Sequence, residues 1–274
     1  MKLFVAGLRK LVRRPVTFVT FGLLIGLLSL ILLAVGATAG QAEAGSEGQA
    51  AALALVTFPG AYSIIVSFIL GLGGLFAVIY GAAIAGSEWS WGTLKAAVAR
   101  GESRSRYQLL SFAAIAVMVG LGLVVAFAAG VLVAVIAANL AGVSTAGLGD
   151  STALGQLPEL FARGWFAMIE QGALGFAIAT LARSQLAGIG VGIGVYFGEG
   201  FASIFLPDIV KYLPFDAANA VVATPGGGGG FGGGGGAPAV TALEPNTALL
   251  IVAAWLVGAL VVTALFTERA EISG

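Results

Sequence analysis

The chain contains no cysteine and no histidine. Thiol catalysis, disulfides and most zinc or haem sites are excluded at once. Charge is nearly as scarce. Only 9 % of the 274 residues are Asp, Glu, Lys or Arg, where a soluble domain carries roughly 25 %. So few charges cannot cover a water-facing surface. The motifs of common hydrolytic chemistry are missing too. There is no GxxxxGK[ST] loop to grip phosphate, no HExxH and no GxSxG, so a membrane enzyme is disfavoured.

What remains is apolar. Hydrophobic residues make up 59 % of the chain, and the mean hydropathy is +1.03. A spanning helix needs about 20 apolar residues, and six segments qualify, at 16–37, 60–85, 109–138, 162–182, 185–206 and 247–267. Together they predict an all-α, multi-pass membrane protein forming a single domain over 1–274. The first run is too long for the core of a cleaved leader and reads as a retained span.

The 13 basic residues fix an expected orientation. Lys2, Arg9, Lys10, Arg13 and Arg14 precede the first span. Lys95, Arg100, Arg104 and Arg106 lie between the second and third, Arg183 between the fourth and fifth, and Arg269 after the sixth. With six spans and the N-terminus inside, these are all cytoplasmic, and only Arg163 and Lys211 fall outside. Both termini are then cytoplasmic.

Three stretches outside the spans are informative. In "MKLFVAGLRKLVRRP" the residues Phe4, Leu8, Leu11 and Val12 share one helical face, and Lys2, Arg9, Lys10 and Arg13 share the opposite one. Pro15 ends the helix. Such a helix is expected in the membrane interface, basic side toward headgroups. The outer segment 39–58 reads as weakly structured. The low-complexity stretch 224–238, "TPGGGGGFGGGGGAP", lacks the Lys and Ser or Thr of a phosphate loop and reads as a flexible extracytoplasmic linker. Between them, "LPDIVKYLPFDAANAVV" at 206–222 is half apolar, twice broken by Pro and too short to span. It suits re-entrant or interfacial short helices, or an ordinary outer loop.

Between the second and third spans runs "SEWSWGTLKAAVARGESRSRYQLLSF". Thr93 is positioned to cap a short helix reaching about Arg100. Leu94 and Val98, spaced i, i+4, share a small apolar face, and Gly101 is a natural stop. A two-turn helix is unstable alone, so it is expected to dock. The alternative is a basic loop that only anchors topology.

This pattern resembles the ABC-2 family of ABC transporter permeases. In that family the second span ends in a Glu, followed four residues later by "GTL" and then by "SR" before the third span. Here those positions are Glu88, Gly92-Thr93-Leu94 and Ser103-Arg104. Gln108 departs from the Lys that many members carry at the start of the third span. The resemblance implies an exporter-type permease subunit with an N-terminal elbow helix, a cytoplasmic coupling helix between spans two and three, and short re-entrant helices before span six. Its coupling segment would comprise Glu88, Gly92, Thr93, Leu94, Val98, Arg100, Gly101, Ser103 and Arg104. It would act with a separate ATP-binding subunit and a second permease chain in the cytoplasmic membrane. ATP and Mg would sit on that partner. No cofactor, metal, catalytic residue or nucleic acid is expected on this chain.

Two acidic residues fall inside spans. Glu170 lies seven residues past Arg163 and Glu199 eight before Pro207, about 10 and 12 Å below the outer ends of their helices. They are candidates for a pathway or gate, for a buried hydrogen bond, or for pairing with Arg163 or Lys211. They also support an alternative reading, a proton-coupled secondary transporter, although no inverted repeat is evident. In span five, Gly190, Gly194 and Gly198 form a small-residue stripe that suits close packing, within the chain or across a dimer.

Overall fold

A computed structural model describes residues 2–39, 47–222 and 243–270. It is helical throughout, with no strand among the described residues. The Gly-rich stretch 224–238 lies outside those residues.

Five helices are long and apolar enough to cross a membrane: α2 (Pro15–Ala39), α4 (Gly60–Ser90), α6 (Arg104–Leu140), α7 (Ser151–Ala182) and α11 (Pro245–Arg269). The chain is thus a helical, multi-pass membrane protein. The segment 185–206, expected as a fifth span, forms α8 (Gln185–Ala202). At 18 residues it is about 27 Å long, and its glycines, Gln185 and Glu199 dilute its hydropathy, so it is not among the five. The remaining helices are short: α1 (Lys2–Val12), α3 (Glu47–Val56), α5 (Thr93–Val98), α9 (Pro207–Val210) and α10 (Pro214–Val222). Because α3 occupies 47–56, the expected weakly structured loop there is corrected to a helix.

Helix α4 is the centre of the bundle and touches α2, α6, α7 and α8. Its largest contact is with α7, and glycines make it possible. A Cβ on Gly81 would lie 2.1 Å from the Gly172 carbonyl oxygen, and one on Gly175 would lie 2.1 Å from that of Val78. Without side chains at these crossings the two backbones approach closely, as small-residue packing in lipid requires. Most of α4 and most of the apolar stretch of α7 are buried as a result. Helices α2, α6 and α11 instead expose apolar faces, with Phe18, Leu30, Leu132 and Leu250 all outward, which is what lipid-facing helices do.

Helix α1 packs on α6, with Leu11 buried, Phe4 and Leu8 against the core, and Gly7 opposite Ala114. Val12, expected on the apolar face, is exposed. Helices α7 and α8 are joined by only Arg183 and Ser184. Arg183 adopts a left-handed conformation (φ 51°), and the Ser184 hydroxyl accepts from the Ala187 N–H at the start of α8.

Helices α9 and α10 form a pair between α8 and α11. The Trp255 indole N–H donates to the Tyr212 carbonyl at 3.0 Å. Trp255 is ten residues into α11, about 15 Å from that helix's start. From there α10 runs along α11 and α7, burying Ala217, Ala218 and Val221 with Ala248, Val252 and Ala167. The segment 206–222 therefore forms two short helices, the second of them packed on α11 and α7, and not an irregular loop.

Candidate functional site

The densest polar constellation lies where α4 ends. Glu88 falls on the last turn of α4 and is 1 % exposed. Its Oε1 accepts from Lys10 Nζ at 2.6 Å and from an Arg14 guanidinium nitrogen at 3.3 Å. Its Oε2 accepts from the Tyr107 hydroxyl at 2.6 Å and from the Thr93 hydroxyl. One carboxylate thus ties together α1, the end of α4, the start of α5 and the start of α6. The second nitrogen of Arg14 donates to the Ser87 hydroxyl at 2.6 Å, and its guanidinium lies over the Trp91 ring, 4.9 Å from the centroid. Arg14 is itself buried. A buried cation and a buried carboxylate are tolerable because each satisfies the other and both carry further hydrogen bonds.

A second cluster extends this end of the bundle. Arg183 is placed over Trp89 and Phe266, 5.2 and 5.4 Å from their centroids. It links the α7–α8 turn to the ends of α4 and α11 through cation–π contacts. Arg104 donates to the Ala270 carbonyl at 2.7 Å, and the Ser105 N–H donates to Glu268. Lys10, Arg14, Arg104 and Arg183 are therefore brought to one end of the molecule, as the charge distribution predicts.

Helix α5 forms where expected, but two details differ. The residue ahead of it is Gly92, left-handed at φ 64°. Thr93, expected as the cap, is the first helical residue, because its hydroxyl is drawn back to the Glu88 carboxylate and to the Glu88 carbonyl at 3.2 Å. Gly101 does stop the helix, with φ 88° and the Glu102 N–H reaching back to the Ala97 carbonyl. The faces are also reassigned. Leu94, expected to fill a cleft on a partner, is 1 % exposed and packed with Ala97 inside this chain. Val98 is half-buried. The outward face carries Trp91, Lys95, Ala96, Ala99 and Arg100. Ser103 stands at the N-cap of α6 with no side-chain capping bond.

The sequence reading missed Lys10, Arg14, Tyr107 and Trp91 as partners in this site. The doublet Arg13-Arg14 beside Pro15 was visible, yet only the fold shows that Arg14 and Lys10 turn inward. Of the basic face of α1, Arg9 and Arg13 remain exposed.

Toward the other end, Glu170 on α7 and Glu199 on α8 are both buried. The expected pairings with Arg163 and Lys211 are corrected, because Arg163 pairs with Glu159 at 2.7 Å and Lys211 with Asp208 at 3.0 Å. That bond to Asp208 raises the affinity of the Lys211 amine for its proton. One oxygen of Glu199 accepts from the Phe215 and Asp216 N–H groups at 3.0 and 3.3 Å, capping α10. Burial pushes the Asp216 carboxyl above its ordinary range. Glu170 is fully buried, and neither of its oxygens has a hydrogen-bond partner among the described residues.

The glycines of α8 divide into two sets. Gly188 and Gly192 pack against Ala179 and Val78. Gly190, Gly194 and Gly198 have nothing within 4 Å of where a Cβ would stand. The stripe therefore points away from the rest of the described residues, and none of them packs on it.

Among known protein families and curated proteins, none matches this chain.

Proposed function

We propose that this chain is the membrane-spanning subunit of an ATP-driven transporter of the ABC-2 type, working as an exporter with a separate ATPase. The single observation that carries this reading is the Glu88 junction. A permease that receives force from outside the membrane needs a small projecting element joined rigidly to its spans. Helix α5 fits that need. It hangs from the end of α4, buries Leu94 and Ala97 against its own chain, and is tied through Glu88 and Thr93 to α1, α4 and α6. A push on α5 would pass directly to α4, the most buried span.

In this reading α1 is the elbow helix, α8 completes six spans, and the pair α9–α10 is the re-entrant element at the outer face. Both termini are cytoplasmic. The outward stripe Gly190, Gly194 and Gly198 offers a close-packing surface for a second permease chain. The ATPase contact is the open face of α5, where Ala96 and Ala99 allow close approach and Trp91, Lys95 and Arg100 surround them. ATP binding would close the ATPase dimer and drive alternating access through these contacts.

The test is co-purification of the chain with its ATP-binding subunit, together with transport in vesicles. Ala96→Asp with Ala99→Asp should release the ATPase or uncouple its hydrolysis while leaving the permease folded, because both positions are exposed. If that double variant keeps its partner and transports normally, α5 is not the coupling element.

A further inference from the structure

Helix α1 and the turn after it carry two pairs of basic residues at the same spacing, Lys10 with Arg14 and Arg9 with Arg13. The first pair faces inward. Both of its side chains reach one oxygen, Oε1 of Glu88, at 2.6 and 3.3 Å. The second pair is set one residue earlier and is exposed. Neither Arg9 nor Arg13 has an ion pair among the described residues. No Asp or Glu occurs before Glu43, so nothing on their own segment neutralises them, and like charges one turn apart repel. The inward pair shows that this spacing lets two cations share one oxyanion. The outward pair presents the same spacing to the surroundings.

Those surroundings are set by α2. The bend between the two helices is fixed, because the Arg14 N–H and the Thr17 hydroxyl both donate to the Leu11 carbonyl, at 3.1 and 2.7 Å. Helix α2 begins at Pro15 and has 25 residues. It runs about 37 Å, longer than a hydrocarbon core of about 30 Å. Arg13, two residues ahead of it, therefore lies at headgroup level. The outward side of α1 is not wholly polar. Val5 and Val12 are exposed along with Arg9 and Arg13, and Phe18 and Val19 are exposed near the start of α2. A soluble anion would use the charges and leave the apolar groups in water, whereas a phospholipid covers both.

We propose that Arg9 and Arg13 bind the phosphate of one anionic phospholipid, and that this lipid holds α1 against the bundle. The phosphate oxygens bridge the two guanidiniums, and the acyl chains lie over the exposed apolar residues. A zwitterionic lipid fits less well, because its headgroup brings a cation of its own to the pair. Lys10 and Arg14 of the same segment grip Glu88, so the carboxylate inside and the phosphate outside clamp it from both sides. The Glu88 junction is then firmer in an anionic membrane than in a zwitterionic one. This binding needs no ATPase and stands apart from the proposed transport role.

Hydrogen exchange of peptides from 2–14 tests it on the purified chain. The chain is placed in nanodiscs of phosphatidylcholine alone, or of phosphatidylcholine and phosphatidylglycerol in equal parts. Phosphatidylglycerol should slow exchange of the wild-type segment by about tenfold. R9Q with R13Q should exchange at one rate in both discs. Either single substitution should lose part of the response, and serves if the double variant does not fold. R106Q with R269Q removes two other exposed charges and should respond like wild type. Equal loss in that control reduces the effect to general surface attraction and overturns the site. A wild type indifferent to phosphatidylglycerol overturns it too, as does a double variant that still responds. Inorganic phosphate added to phosphatidylcholine discs should change nothing; slowing by phosphate alone would assign the pair to a free anion and refute the lipid.

Discussion

Replacing Glu88 with Ala removes one carboxylate from four partners, and the structure ranks what each loses. Arg14 is affected most. Its side chain is 8 % exposed and cannot turn to water. Stripping the partner from a buried charge costs about 3–5 kcal/mol. Ser87 and the Trp91 ring still hold Arg14, which favours the lower end, about 3. Lys10 is 33 % exposed, so its loss is worth at most about 1 kcal/mol. Thr93 and Tyr107 each lose a hydrogen bond of about 1 kcal/mol, partly recovered by water at this end of the bundle. The sum is about 4 kcal/mol, or roughly 8 °C in melting temperature for a chain of this size. Intrinsic tryptophan fluorescence in detergent suits the measurement, since Trp89 and Trp91 flank the site. Glu88→Gln keeps an acceptor and should lose about half as much. Adding Arg14→Ala to Glu88→Ala should recover stability, because the stranded charge is gone. If Glu88→Ala melts with wild type, or the double variant is worse by the full sum of the single effects, the junction is not organised around this charge pair.

Two other outcomes follow from the same geometry. Gly81→Ala places a Cβ 2.1 Å from the Gly172 oxygen, so α4 and α7 must separate by about 1 Å. That overpacking should cost about 1–3 kcal/mol in thermal melting, whereas Gly26→Ala on α2, with nothing within 4 Å, should be neutral or stabilising by up to about 1 kcal/mol. The absence of native cysteine makes topology directly measurable. A single Cys at Gly48 should react with an impermeant thiol reagent outside intact cells and one at Ala99 should not; labelling of Ala99 from outside would refute the orientation.

The sequence by itself determined that the chain lies in a membrane, where its long helices run, and that its basic residues gather at one end. Those properties depend on local composition. Twenty apolar residues cannot stay in water, and a lysine or arginine at a helix end is readable one residue at a time. The stop of α5 at Gly101 was legible for the same reason, since a left-handed residue is a local requirement. The tertiary structure alone decided which face of each helix meets what. Leu94 and Val98 have the spacing of a docking face whether the partner is another protein or the chain's own α4 and α6. Periodicity names a face but not its neighbour, and the fold gives Leu94 to the interior. Likewise Lys10 and Arg14 read as a flank until α1 is laid against α6 and Glu88 comes within 3.3 Å. Glu170 shows the limit most plainly. Its depth could be counted along the helix, but its lack of a partner among the described residues depends on every neighbouring helix, and only their packing reveals it.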